Sequence, residues 1–187
     1  MNPTTRIALL AVLVSLPAAS SSPPQSPPAQ PPAAQEAPPP ATLTALVKDL
    51  RGRTVGKVTL TDAPHGLLVR GSLKGVPKGT HALHFHETGR CEPPFKTAGA
   101  HFNPTGKTHG ALDPGGSHAG DMPNVVVPKG GKVEFELFTD ALTLSSGPNS
   151  VLDADGSALV LHAKADDHRS QPAGAAGDRI ACAVIAR

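Results

Sequence analysis

Lys132-Val133-Glu134-Phe135-Glu136-Leu137 alternates charged and apolar side chains without a break. Side chains along a strand point to opposite faces, so this run reads as a β-strand with one face on a core and the other in water. Outward from it the same pattern returns. Thr42–Leu50 and Thr54–Thr61 are similar runs, and Asp49–Arg53 between them contains Gly52, suited to a hairpin turn. Gly66–Leu73, His81–His86, Ala158–His162 and Arg179–Ala186 read as further strands. With 19 Gly and 21 Pro in 187 residues, breakers stand at nearly every junction and long helices have little room. Short strands between regular turns predict an all-β sandwich or barrel. There is no Trp or Tyr and only five Phe, so its core must rest on Val, Leu, Ile and Ala.

The front of the chain differs. Arg6 precedes an apolar run, Ile7–Val14, and small residues follow at Ala18, Ala19 and Ser20. This is the layout of a secretory signal peptide over residues 1–19, and the run is shorter than the roughly 20 residues of a membrane span. No cysteine lies nearby to carry a lipid. Residues 20–41 are Ser, Pro, Gln and Ala with almost no charge, a composition unable to bury a core and suited to a semi-rigid polyproline spacer. The folded domain is then 42–187. The expected setting is export: periplasm, cell envelope or exterior, with no membrane span in the mature chain. A net charge of +2 with no basic run and no aromatic interleaving excludes nucleic-acid binding. No strand is marked as an interface between copies.

Two stretches break the strand rhythm, Glu87–Val125 and Ala163–Asp178. Irregular segments this long in a compact domain are usually functional or disordered. The first is rich in histidine, which favours function. His84 and His86 form a His-x-His pair, presenting two imidazoles on one strand face. His101, His109, His118 and Asp121 supply three nitrogens and one oxygen, a closed tetrahedral set for zinc. His162, at the end of a strand-like run, can complete a nitrogen-rich set with His84 and His86, the chemistry that suits Cu(II). His101 could serve both ions by bridging them as an imidazolate. His65 and His168 find no partner in this reading and are expected in solvent, while His81 is expected to make structural hydrogen bonds. Cys91 and Cys182 are the two cysteines of a chain read as exported, where they most simply make one disulfide. The loop it closes is long, worth about 4–5 kcal/mol in the chain-entropy model.

Segments His81–Cys91, Gly99–Asp121, Leu159–Asp167 and Gly177–Ile185 resemble the Cu/Zn superoxide dismutases, especially their exported bacterial branch. The resemblance runs from about Thr42 onward, and the ligand spacing from His86 through His101, His109 and His118 to Asp121 matches at each step. It implies copper on His84, His86, His101 and His162, and zinc on His101, His109, His118 and Asp121, with His101 shared. It implies a Cys91–Cys182 disulfide and an eight-stranded Greek-key barrel with two long functional loops. It implies that Asp166 links a copper histidine to a zinc histidine, fixing their tautomers. It implies that Arg179 stands beside copper, where a permanently charged guanidinium holds a small oxyanion. The activity implied is superoxide dismutation, with Arg179 and His101 as catalytic groups and Lys164, Arg169, Arg179 and, less directly, Lys129 as positive lining. Three departures stand out: Ala183 where the family usually has Gly, His81-Ala82-Leu83-His84 where it often has His-Gly-Phe-His, and a shorter second loop without the acidic pair of eukaryotic members.

Other readings compete. A copper- or zinc-buffering module would use the same ligands without turnover, leaving Arg179 and Asp166 idle; activity of the loaded domain separates the two. A plain adhesion sandwich on a proline stalk accounts for the export signal but not the histidines, and would keep neither ion on dialysis. A zinc hydrolase needs a general-base carboxylate beside an open zinc, and neither set offers one.

Overall fold

The structure is a computed structural model that describes residues 39–187. The expected signal segment and nearly all of the expected spacer lie outside the described residues. Nine strands are present among them: β1 (Thr42–Asp49), β2 (Thr54–Ala63), β3 (Gly66–Lys74), β4 (Gly79–His81), β5 (Leu83–His86), β6 (Val125–Val127), β7 (Lys132–Thr139), β8 (Ser157–His162) and β9 (Arg179–Ile185). Seven of them form one sheet in the order β5-β8-β9-β1-β2-β3-β7, and β4 pairs with β6. Every pairing of these strands is antiparallel. β4 continues into β5 and β6 leads through a turn into β7, so the β4–β6 pair links the two ends of the curled sheet. Taking β4 and β5 as one strand bent at Ala82 gives eight. The bend has a cause: the Ala82 N–H leaves the ladder and donates to Lys164 O at 2.8 Å. β6 carried no alternation to reveal it.

The strands sort their side chains as the sequence suggested. β2 buries Val55, Val58 and Leu60, β3 buries Leu67, Val69 and Leu73, and β7 buries Val133. These join Leu83 and Phe85 of β5, Leu159 and Leu161 of β8, and Ala183 and Ile185 of β9 in one core inside the barrel. Ala183, the departure from Gly, is core-facing and opposite Leu159. A second, smaller cluster holds Phe95, Ala98, Ala158, Val160 and Cys182 on the outside of β8 and β9. There the Cys91–Cys182 disulfide forms, with Cα atoms 5.7 Å apart. A third irregular connection, 140–156, lies between β7 and β8. It is pinned to the β2 end by Asp62, whose carboxylate accepts Thr143 Oγ1–H (2.7 Å), Leu144 N–H (2.9 Å) and Ser145 Oγ–H (2.6 Å).

Candidate metal centre

β5 is an edge strand, and an uncovered edge exposes a row of backbone donors and acceptors. The 87–124 segment covers it. Glu87 N–H donates to Ala100 O, Phe102 N–H to Phe85 O, Phe85 N–H to Gly120 O and Met122 N–H to Leu83 O. This return puts His101 opposite His86 and Asp121 opposite His84. Gly120 makes it possible, since a Cβ there would meet the backbone of both Phe85 and Phe102. On β5 the apolar Leu83 and Phe85 face the barrel core, so His84 and His86 face outward beneath the loop.

His162 belongs to that outer face of β8, and Arg179 reaches it through a bulge. The β8–β9 register shifts between Leu161 and His162, so that Leu161 pairs with Ala181 but His162 pairs with Arg179. Ile180 is the extra residue. A one-residue slip flips a side chain to the other face, so without the bulge Arg179 would not stand beside His162. The guanidinium donates to Phe95 O and Gly99 O, each at 2.7 Å. Phe95 holds its carbonyl there from a left-handed backbone, φ 67°, an arrangement a bulky residue adopts only under the constraint of its surroundings. Gly99 O also accepts from His86 Nδ1 at 3.0 Å, so one carbonyl ties Arg179 to the histidine pair.

Two sets of four result. The ring nitrogens of His84, His86, His101 and His162 converge, as do those of His101, His109 and His118 with a carboxylate oxygen of Asp121; in each set these atoms lie within 4.8 Å of one another. His101 belongs to both. Its Nδ1 is 2.8 Å from Asp121 Oδ1 and 3.3 Å from His118 Nδ1, while its Nε2 is buried with no hydrogen-bond partner.

The hydrogen bonds around these rings test whether cations fit. His86 Nδ1–H donates to Gly99 O and His162 Nδ1–H to Gly177 O (3.2 Å), which leaves both Nε2 atoms as lone pairs. Those atoms face each other at 3.4 Å. Asp166 accepts from His84 Nε2–H (2.8 Å) and His109 Nε2–H (3.0 Å). The other nitrogen of each ring, Nδ1, is then a bare lone pair; both are buried without hydrogen-bond partners, and His109 Nδ1 lies 3.0 Å from Asp121 Oδ2. Buried acceptors aimed at one another are costly unless something positive lies between them. Four nitrogens suit copper and three nitrogens with one oxygen suit zinc.

Charge states agree. Burial pushes His84 down to about 4, against the pull of the Asp166 carboxylate. Burial, then the nearby Arg179 charge, pushes His86 down to about 2. Burial and His84 push His162 down to about 3. Each ring is therefore neutral and able to ligate at physiological pH. Burial alone would raise Asp121 and Asp166. Donors from His101 and the Gly110 N–H outweigh it at Asp121, those from His84 and His109 outweigh it at Asp166, and both carboxyls sit well below the usual range.

Some functional contacts carried no signal in the sequence. Asn124 clamps the Asp166 backbone in both directions, through Oδ1 at 2.8 Å and Nδ2 at 2.9 Å. Gly174 passes so close that a Cβ would land on Asp166 Oδ1. Lys96 joins Arg179, Gly177 and Leu50 around a groove beside the first set, and the Lys164 stem lies near Gly177. Lys129 lies in the β6–β7 turn, outside that lining. The expectation that His168 is simply solvated is corrected. It is half-buried, its backbone N–H donates to Asp166 Oδ1 at 2.6 Å, and its Nε2 meets Asn124 Nδ2 at 3.2 Å. His81 is buried between His162 O (2.7 Å) and Pro77 O (3.0 Å), a structural role as expected, and His65 is exposed.

Residues 54–185 match the family described as copper/zinc superoxide dismutase (SODC). A Cu-Zn superoxide dismutase of Caulobacter vibrioides is 47% identical over 146 residues, covering 76% of this chain and 84% of that protein. Cu-Zn superoxide dismutase 2 of Aquifex aeolicus is 47% identical over 137 residues, covering 72% and 80%. Among solved structures, a SOD-like protein from Bacillus subtilis aligns with a TM-score of 0.73 at 34% identity, over 76% of this chain and 97% of that one. The Cu/Zn superoxide dismutase from Brucella abortus aligns with a TM-score of 0.65 at 26% identity, over 78% and 99%.

Proposed function

This chain belongs to the copper/zinc superoxide dismutase family, and from that membership we propose how its own residues divide the work. It converts superoxide to oxygen and hydrogen peroxide, with copper and zinc as cofactors. His84, His86, His101 and His162 hold copper; His101, His109, His118 and Asp121 hold zinc. The observation that carries this reading is that one ring, His101, contributes to both sets of converging ligand atoms. Asp166 fixes the tautomers of His84 and His109, so that each offers Nδ1.

When bound, copper would supply one-electron exchange between Cu(II) and Cu(I), and zinc a fixed positive charge shared through His101. The chain does the rest. Arg179, braced by two carbonyls, keeps N–H donors for the superoxide anion next to His162. With copper held by His84, His86, His101 and His162, one electron would pass by way of that ion from a first superoxide, which leaves as oxygen, to a second. His101 would hold a proton at Nε2 between the two halves and pass it to the peroxide, and solvent would supply the second proton of hydrogen peroxide. Burial keeps His84, His86 and His162 neutral throughout. Lys96 and Arg179 outnumber Asp178 in the groove lining and the Lys164 stem lies near Gly177, a net positive balance that raises the arrival rate of a small anion and weakens with salt.

Residues 1–19 direct export and are removed, residues 20–41 form a spacer, and residues 42–187 are the enzyme, placed in the periplasm, the envelope or outside the cell. The N-terminal composition supports this. No helix among the described residues is long and apolar enough to cross a membrane.

The test is metal content and superoxide consumption of the purified chain beside Arg179→Ala and His162→Ala. Arg179→Ala is expected to keep both ions and lose activity on the order of 100-fold, the scale seen when a positioned donor to a developing anion is removed. His162→Ala is expected to lose copper and keep zinc. Undiminished turnover in Arg179→Ala contradicts the role given to it.

A further inference from the structure

Gln171 stands in the second long loop, far from the ligands in sequence, yet its side-chain amide pairs with both backbone groups of His109. Its Oε1 accepts the His109 N–H at 2.9 Å and its Nε2–H donates to His109 O at 2.9 Å. The same peptide continues on its other side, where the Gly110 N–H donates to Asp121 Oδ2 at 3.0 Å. One amide therefore holds a chain of polarised groups that runs through the His109–Gly110 peptide to a second residue of the same set. Chains of this kind strengthen each member. The surrounding contact is tight: Leu112 N–H donates to His168 O at 3.1 Å, and a Cβ on Gly110 would land on His168 O.

We propose that Gln171 is a positioning residue for the zinc set, fixing His109 through its backbone and Asp121 through the Gly110 N–H. This rests on the assignment of zinc to His101, His109, His118 and Asp121. Asp166 holds the same histidine by its ring, so the second loop grips His109 at three points: N–H, carbonyl and Nε2. The ring bond alone leaves the imidazole free to pivot about that nitrogen. The amide removes the freedom by holding the backbone that carries the ring.

The experiment uses the full mature chain loaded with copper and zinc, and a second preparation with Co(II) in place of zinc. Gln171→Met keeps the length of the side chain without its polar pairing, and Gln171→Glu keeps the acceptor while losing the donor. Zinc release to a chromogenic chelator is expected to quicken by roughly 10- to 100-fold in Gln171→Met, the usual scale for losing a group that orients a metal ligand. Gln171→Glu is expected to fall between Gln171→Met and the parent. The Co(II) visible bands should shift in both variants, while copper release stays within about twofold. Zinc release and Co(II) bands unchanged from the parent would overturn the proposal. So would equal quickening of copper and zinc release, the mark of general loosening. His118→Ala serves as the control: if that variant also keeps zinc, the zinc assignment itself has failed, rather than the role of Gln171.

Discussion

β2, β3 and β7 alternate between more and less exposed side chains, with β7 fully burying only Val133, while β5 and β8 bury all of theirs. The backbone geometry is the same in both regions; the layer outside it is not. Water lies against the first. The second is covered by 87–124 and 163–178: Phe95 and Ala98 pack with Ala158, Val160 and the disulfide, and Phe102, Ala119 and Met122 join the main core. The remainder of that cover is held by histidines, two buried carboxylates and backbone bonds that converge on bare nitrogens. A core of Val and Leu stabilises one region unaided, whereas the other is expected to gain cohesion when its two ligand sets are filled.

Stripping both ions should therefore separate the two regions. At free metal 1,000-fold above Kd, each ion adds about 4 kcal/mol, so the melting temperature of the chelated protein is expected to drop by far more than any single substitution below achieves. Amide exchange should quicken across 100–124, 163–178 and β5 but change little in β2, β3 and β7. Uniform quickening would erase the distinction.

Leu60→Ala probes the other side. Leu60 is fully buried on β2, and its truncation should cost about 2–5 kcal/mol while copper and zinc release rates stay at parental values. Gly120→Ala should do the reverse. It forces a Cβ against Phe85 and Phe102, costing about 1–3 kcal/mol, and it should weaken retention of both ions because Asp121 and His101 lean on that return of the chain.

The smallest effect belongs to Asp62. Burial would raise its carboxyl, but the donors of Ser145, Leu144 and Thr143 hold it below the ordinary value. A group lowered in the folded state stabilises above its unfolded pKa and loses that contribution as pH falls through the lower folded value. Asp62→Asn is expected to cost about 1 kcal/mol at pH 7, and the gap to the parent should close below about pH 4. Ion retention should not change. A gap that persists in acid would assign the loss to packing.

The same contrast governs what the sequence made legible. Strands facing water on one side announce themselves by alternation, and β1, β2, β3 and β7 agree with the reading to within two residues at each end. The convergence of His84, His86, His101 and His162, and of His101, His109, His118 and Asp121, was legible because a fold rarely needs histidines at those spacings except to hold metal. β6 was not, since Val125–Val127 is three apolar residues with no period to detect. Nor was the bend at Ala82, caused by a backbone bond to Lys164 across the fold. Asn124, Gln171 and Gly174 are ordinary loop residues until the fold brings Asp166 and His109 beside them. His168 was misread for the same reason, its partner Asn124 lying 44 positions away.

His101→Ala, assayed by copper and zinc content after dialysis, bears on the shared ring more closely than any other substitution. Loss of both ions from the one variant, with barrel amides still protected, is the expected result. Retention of either copper or zinc at the parental level would mean that His101 does not join the two sites.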